Sequence, residues 1–140
     1  MYQTSKPSTA PSSIFVYGTL KPGERAYKSL CEAHVVKTQQ AMTPGRIYAL
    51  PQGYPAMTQE AGWVYGYLLV FNGLAPLSAI DEFEDYYPDC PERSLYRRQE
   101  IPVFSLTAKP IGRAWGYVME LSQVHVLGGY PLASGSWREG

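Results

Sequence analysis

Residues 14–23 read Ile-Phe-Val-Tyr-Gly-Thr-Leu-Lys-Pro-Gly. The first four are β-branched or aromatic, the pattern of a short buried strand. Gly18 stops the run, and Lys21-Pro22-Gly23 is a turn signal. A strand that ends in Gly and enters a turn exposes consecutive backbone N–H groups that no ladder claims. Such a concavity suits a carboxylate or a phosphate. The spacing is not that of a GxxxxGK[ST] phosphate loop. The same stretch also reads as an ordinary exit from a strand into a turn.

Upstream, residues 1–13 are Ser/Thr/Pro-rich and aperiodic, which predicts a flexible leader before a single domain over 14–140. Downstream, 24–32 predicts a short helix with Ala26, Leu30 and Ala33 on one face. Residues 35–36, 46–50 and 54–57 read as short extended pieces separated by Pro and Gly, and 63–71 as the longest strand. Asn72-Gly73 breaks it. Leu74, Leu77, Ile80 and Phe83 then recur at three-residue spacing, which predicts an amphipathic helix. Residues 99–104 and 112–119 read as two further strands, and the Gly/Ser/Pro-rich tail 128–140 as a surface wrap. About six or seven short strands with two helices make an α+β domain, closed as a mainly antiparallel sheet or small barrel.

Composition narrows the function classes. The 140 residues are 45% apolar, enough for a core without a metal or disulfide staple. Lys plus Arg and Asp plus Glu number 12 each. The balance removes the electrostatic case for nucleic acid or an anionic membrane as partner. Gly and Pro number 13 and 12, which favours turns over long helices. Cys31 and Cys90 form no metal-ligand spacing. Two unpaired thiols, with no apolar segment in 1–13, predict a cytoplasmic protein. A weakly charged surface with twelve Tyr leaves both monomer and homodimer open.

Glu82, Glu84 and Asp85 sit at the C-terminal end of the predicted helix, where the macrodipole favours cations. With Ile80 and Phe83 facing the core, Glu84 lies at the edge of the apolar stripe, while Asp81 and Glu82 turn toward solvent. A partly buried Glu beside aromatic rings has its pKa raised, as a general acid/base requires. The alternative is a solvated acidic helix end paired with Arg97 or Arg98. His34 and His125 have no partners nearby in sequence and read as surface or packing residues, Cys31 as a buried structural thiol, and Trp63, Trp115 and Trp137 as packing.

Five segments in order, FVYGTLKPG at 15–23, VYGYLLV at 64–70, LSAIDEFEDY at 77–86, LYRRQEIPV at 95–103 and AWGYVM at 114–119, resemble the γ-glutamylcyclotransferase-like family, which includes AIG2-like proteins and γ-glutamylamine cyclotransferases. The resemblance implies a small mixed β-barrel flanked by helices, with a cavity at one end floored by the Tyr-Gly-Thr-Leu loop. It maps the catalytic glutamate of the (L/I)DxxE segment onto Glu84 and the substrate-cradling loop onto Tyr17, Gly18, Thr19 and Leu20. Tyr96 and Tyr117 fall where members place cavity-lining tyrosines. The stretch 86–95 is longer than in many members and bears on the cavity rim. The implied reaction is cyclisation of a γ-glutamyl amide, amine or dipeptide to 5-oxoproline, with no metal and no cofactor. The other reading is a module of the same fold that binds a small metabolite or serves a stress response without turnover.

Overall fold

Ile14, Phe15 and Val16 are each at most 3% exposed, because the strand they form, β1 (Ser13–Val16), is covered on both faces. The computed structural model describes residues 13–72 and 75–138. The expected leader, apart from Ser13, and Leu74 of the expected helix lie outside the described residues. β1 runs antiparallel to β3 (Pro55–Phe71), with Ser13 opposite Val70 and Val16 opposite Tyr67. On its other side it runs parallel to β5 (Pro110–Val118) through Ile14 and Trp115. β5 pairs antiparallel with β4 (Arg97–Phe104), β4 meets β2 (Val35–Ala49) at Phe104 and Met42, and β2 pairs antiparallel with β3. The ring therefore closes on five strands, with the short β6 (Tyr130–Pro131) added beside β2. Among the described strands only the β1–β5 pairing is parallel.

β2 and β3 correct the expectation of short pieces, for they are single strands of 15 and 17 residues. The Pro and Gly that suggested breaks fall at an irregularity. The register slips between Pro44 and Arg46, where the partner strand steps from Trp63 to Thr58. A bulge admits Pro and Gly without ending a strand, and it bends the ribbon enough to serve two sides of a small barrel. The hairpin turn is held by Leu50 N–H to Tyr54 C=O at 3.0 Å and Gly53 N–H to Leu50 C=O at 2.9 Å.

Phe15, Ile47, Met57, Val64, Val103 and Val118 come from all five ring strands and pack in one cluster, the barrel interior. Ile14, Val16 and Leu69 point the other way and pack with Ile80 and Val124 beneath the helices. Side chains alternate along a strand, so a strand buried on both faces reads as an unbroken apolar run. The tail departs from a plain surface wrap: Gly135 C=O accepts from Tyr65 N–H at 2.9 Å, and Trp137 is 7% exposed within the interior cluster.

The helices among the described residues are three and short: α1 (Tyr27–Leu30), α2 (Leu77–Phe83) and α3 (Leu121–Val126). The helix expected over 24–32 shrinks to α1 and a 3₁₀ turn, Glu32–His34. Turn hydrogen bonds occupy the chain as far as Ala26, and Ala33 is exposed. Cys31 is buried, and burial pushes its thiol up to about 11. His34 and His125 are exposed. Among the described residues no helix is long and apolar enough to cross a membrane.

Candidate active site

The loop after β1 folds by accepting hydrogen bonds with its carbonyls. Lys21 N–H donates to Gly18 C=O at 3.0 Å, Ala26 N–H to Thr19 C=O at 3.0 Å and Glu24 N–H to Lys21 C=O at 2.9 Å. The N–H groups of Gly18, Thr19 and Leu20 find no main-chain acceptor among the described residues. Successive N–H groups left over at a turn form an anion-binding concavity. Gly18 is needed here for space. A Cβ at this position would lie 2.9 Å from Pro55 Cγ. Gly18→Ala is therefore expected to push the loop off Pro55, weaken binding of a carboxylate ligand about tenfold and cost about 1–3 kcal/mol of stability. Calorimetric titration with 5-oxoproline beside a thermal melt checks this.

Glu84 is placed by the way α2 ends. Asp85 N–H donates to Glu82 C=O at 3.1 Å and Tyr86 N–H to Asp81 C=O at 2.9 Å, the paired bonds of a Schellman stop. The left-handed position falls on Asp85, with φ 57°. Asp tolerates that conformation better than most residues, so the helix ends without the glycine that usually marks such a stop. Glu84 is the C-cap. Glu84 lines the cavity, and burial together with the negative charge of Asp81 pushes its carboxyl pKa up to about 8. This lies close to the range of an α-amino group, about 7.7–8.0.

Three tyrosines frame the space. Tyr17 Oη donates to the Tyr117 carbonyl at 2.6 Å and accepts from Met57 N–H at 3.2 Å. Tyr96 Oη donates to the Pro55 carbonyl at 2.6 Å. Tyr117 Oη donates to Asp81 Oδ1 at 2.6 Å. Burial raises the pKa of all three well above the ordinary tyrosine value, so each remains a neutral phenol.

Tyr17, Gly18, Thr19, Leu20, Glu84, Tyr96 and Tyr117 all line one cavity of about 360 Å³. Their exposure gives the cavity depth. Tyr17, Thr19, Leu20, Tyr96 and Tyr117 are buried and form its floor. Tyr54, Glu84 and Leu95 are intermediate along its wall, and Arg25 and Phe83 are exposed at its mouth.

Two expectations about α2 need correction. Phe83 is not in the core but 43% exposed at the mouth. Asp81 does not face solvent but is 7% exposed, bonded to Tyr117 and ion-paired with Arg98 Nε at 3.0 Å. The helix is only seven residues long. Its one fully buried apolar side chain, Ile80, sets its rotation, and Asp81 then points at β4 and β5. The ion pair anticipated for the acidic cluster exists, but it belongs to Asp81 and Arg98 rather than to Glu84. Arg25 and Tyr54 are cavity residues that the sequence does not single out. Neither carries a local signal, since both reach the cavity from turns whose course depends on the closed barrel.

The family model described as "Gamma-glutamyl cyclotransferase, AIG2-like" matches residues 14–139. A curated relative, the Gamma-L-glutamyl-butirosin B gamma-glutamyl cyclotransferase of Niallia circulans, is 32% identical over 106 residues, 76% of this chain. The match spans 65% of that relative's length. The crystal structure of an AIG2-like protein from Mus musculus superposes with a TM-score of 0.63 at 22% identity, covering 92% of this chain and 89% of that one. YkqA from Bacillus subtilis superposes with a TM-score of 0.62 at 25% identity, covering 90% of this chain and 39% of its own.

Proposed function

The chain belongs to the Gamma-glutamyl cyclotransferase, AIG2-like family, and on that premise we propose that it cyclises a γ-glutamyl amide, amine or dipeptide to 5-oxoproline with Glu84 as the acid/base. The observation that carries this reading is a single one: a carboxyl with its pKa near 8 and a turn with unclaimed N–H groups line the same small cavity.

In the proposed reaction the substrate's α-amine attacks its own γ-carbonyl carbon. A C–N bond closes the five-membered lactam, and the bond from the γ-carbon to the leaving nitrogen breaks. Glu84, as carboxylate, carries the two protons that the α-ammonium loses on becoming a lactam N–H, one after the other, to the leaving nitrogen, which departs as an ammonium and leaves the enzyme unchanged. Proton transfer between groups of matched pKa is nearly isoenergetic, the condition under which general acid/base catalysis works best. The nucleophile is intramolecular, and well-oriented pairs of this kind reach effective molarities of about 10⁵–10⁸ M. The fold's task is thus to bend the substrate and to carry protons from one of its nitrogens to the other. The N–H groups of Gly18, Thr19 and Leu20 hold the α-carboxylate or the developing oxyanion. The cavity is at the small end of the range for ligand pockets, roughly 300–1,000 Å³, so the γ-glutamyl unit fills it and the leaving amine sits at the mouth, beside Phe83 and Arg25.

Release of 5-oxoproline from a panel of γ-glutamyl-α-amino acids, γ-glutamyl-ε-lysine and γ-glutamylated amines tests the reading and identifies the leaving group. No product from any of them, with 5-oxoproline still bound, would replace the enzyme by a binding module. The pH profile is a further expectation. Activity requires one proton shared between Glu84 and the substrate amine, so kcat/KM is expected to peak near pH 8. Below that it should fall about tenfold per pH unit as Glu84 becomes protonated before substrate arrives. A profile flat down to pH 5 would remove Glu84 from the role.

A further inference from the structure

Asp81 and Arg98 do not line the cavity, yet they form a largely buried ion pair beside it. The side chains of Asp81 and Arg98 are 10% and 18% exposed. Asp81 Oδ1 meets Arg98 Nε at 3.0 Å and accepts the Tyr117 hydroxyl at 2.6 Å. The guanidinium lies 4.7 Å from the ring centroid of Trp115 and 5.8 Å from that of Tyr86, held between two aromatic faces. From Tyr117 the hydrogen bonds continue: its carbonyl accepts from Tyr17 Oη, which accepts from Met57 N–H. Tyr17 directly precedes Gly18. A single chain of contacts thus runs from Arg98 on β4, through Asp81 on α2 and Tyr117 on β5, to the residue that opens the cradling loop. Asp81 also stands three residues before Glu84, one helical turn away on the same side of α2.

We propose that the Asp81–Arg98 pair is the positioning and charge-setting element of this site: Asp81 anchors Tyr117 and presents negative charge to Glu84, and Arg98 limits that charge. The proposal rests on the acid/base reading of Glu84. The groups facing Glu84 from the surrounding elements are Asp81 and Asp85 on α2 and its stop, Tyr17 after β1, Arg25 and Tyr54 from turns, Tyr96 before β4 and Tyr117 on β5. Among them Asp81 is the anion that acts on Glu84, and its charge adds to burial in disfavouring the carboxylate.

The two partners make opposite predictions. Asp81→Asn keeps an oxygen acceptor for Tyr117 but removes the anion and leaves the Arg98 cation, so the Glu84 carboxylate becomes easier to form. Arg98→Met keeps length and apolar contact but strips Asp81 of its countercharge, so the carboxylate becomes harder to form. The acidic limb of kcat/KM is expected to move down by about one pH unit in Asp81→Asn and up by at least about half a unit in Arg98→Met. The same displacements should appear in a ¹³C-carboxyl NMR titration of Glu84, which needs no turnover. Damage to the fold lowers activity in both variants and does not move the titration in opposite directions. Titrations that stay in place, or that shift the same way, overturn the proposal. Opposite shifts in a protein that releases no 5-oxoproline would uphold it and sink the acid/base reading instead.

Discussion

Replacing Glu84 with Gln is expected to lower 5-oxoproline release by roughly 10²–10⁴-fold, the usual contribution of a positioned acid/base, while the protein stays folded. Gln matches Glu in shape and can hold neither the carboxylate's negative charge nor its proton. KM should change little, because the turn at Gly18, Thr19 and Leu20, proposed to hold the substrate, is untouched. The same variant should gain stability. Burial and Asp81 raise the pKa of Glu84 from 4.5 to about 8 in the folded state. Between those values the folded protein binds more protons than the unfolded chain, so stability falls as pH rises through this window and levels off above it. A neutral amide in the same place carries no such cost. The variant should be more stable by about 1–3 kcal/mol at pH 8.5, with the advantage vanishing toward pH 4.5. Thermal melts across that range check the trend, and progress curves at pH 8 check the rate. Full activity in Glu84→Gln would end the assignment.

Gly66→Ala is expected to be the most damaging single methyl in the barrel. A Cβ on Gly66 would lie 2.2 Å from the Val16 carbonyl oxygen and 2.9 Å from Phe15 Cζ. The first contact is with backbone, which no rotamer change relieves, so β1 must move away from β3 or the chain must distort. Overpacking of this kind costs about 3 kcal/mol, or a fall of about 6–12 °C in melting temperature for a domain of this size. Since Val16 leads into Tyr17, whatever protein remains folded should also bind 5-oxoproline more weakly. An unchanged melting curve would mean that β1 has more freedom than the close approach indicates.

The alternation and run lengths of the sequence carry much of this architecture because they report burial directly. The unbroken apolar run at 14–16 marks a strand covered on both faces, and Gly18 marks where it must turn. What local reading does not supply is rotation and reach. Phe83 belongs to the apolar spacing of α2, yet on so short a helix the burial of Ile80 alone fixes the orientation, and Phe83 is left at the mouth. Asp81 looks solvated because its partners, Arg98 and Tyr117, come from strands placed beside it only when the ring closes. The long β2 and β3 read as fragments because Pro and Gly commonly mark strand ends, whereas at a bulge they continue the strand. The missing glycine at the end of α2 has a similar effect, since Asp85 takes the left-handed position instead.

The parallel pairing in the ring joins the first strand to the last of the five, and Tyr17 Oη reaches a carbonyl 100 residues further along the chain. Contacts of such long sequence separation must pay their loop-closure entropy before they return any stability, and they slow folding toward the millisecond-to-second range. On the ribosome, β1 leaves the exit tunnel early and waits unpaired on one side until β5 has followed. The loop at 18–20 and Glu84 therefore come together at the end of folding, and on the proposed function the appearance of activity during refolding should coincide with the slowest phase rather than precede it.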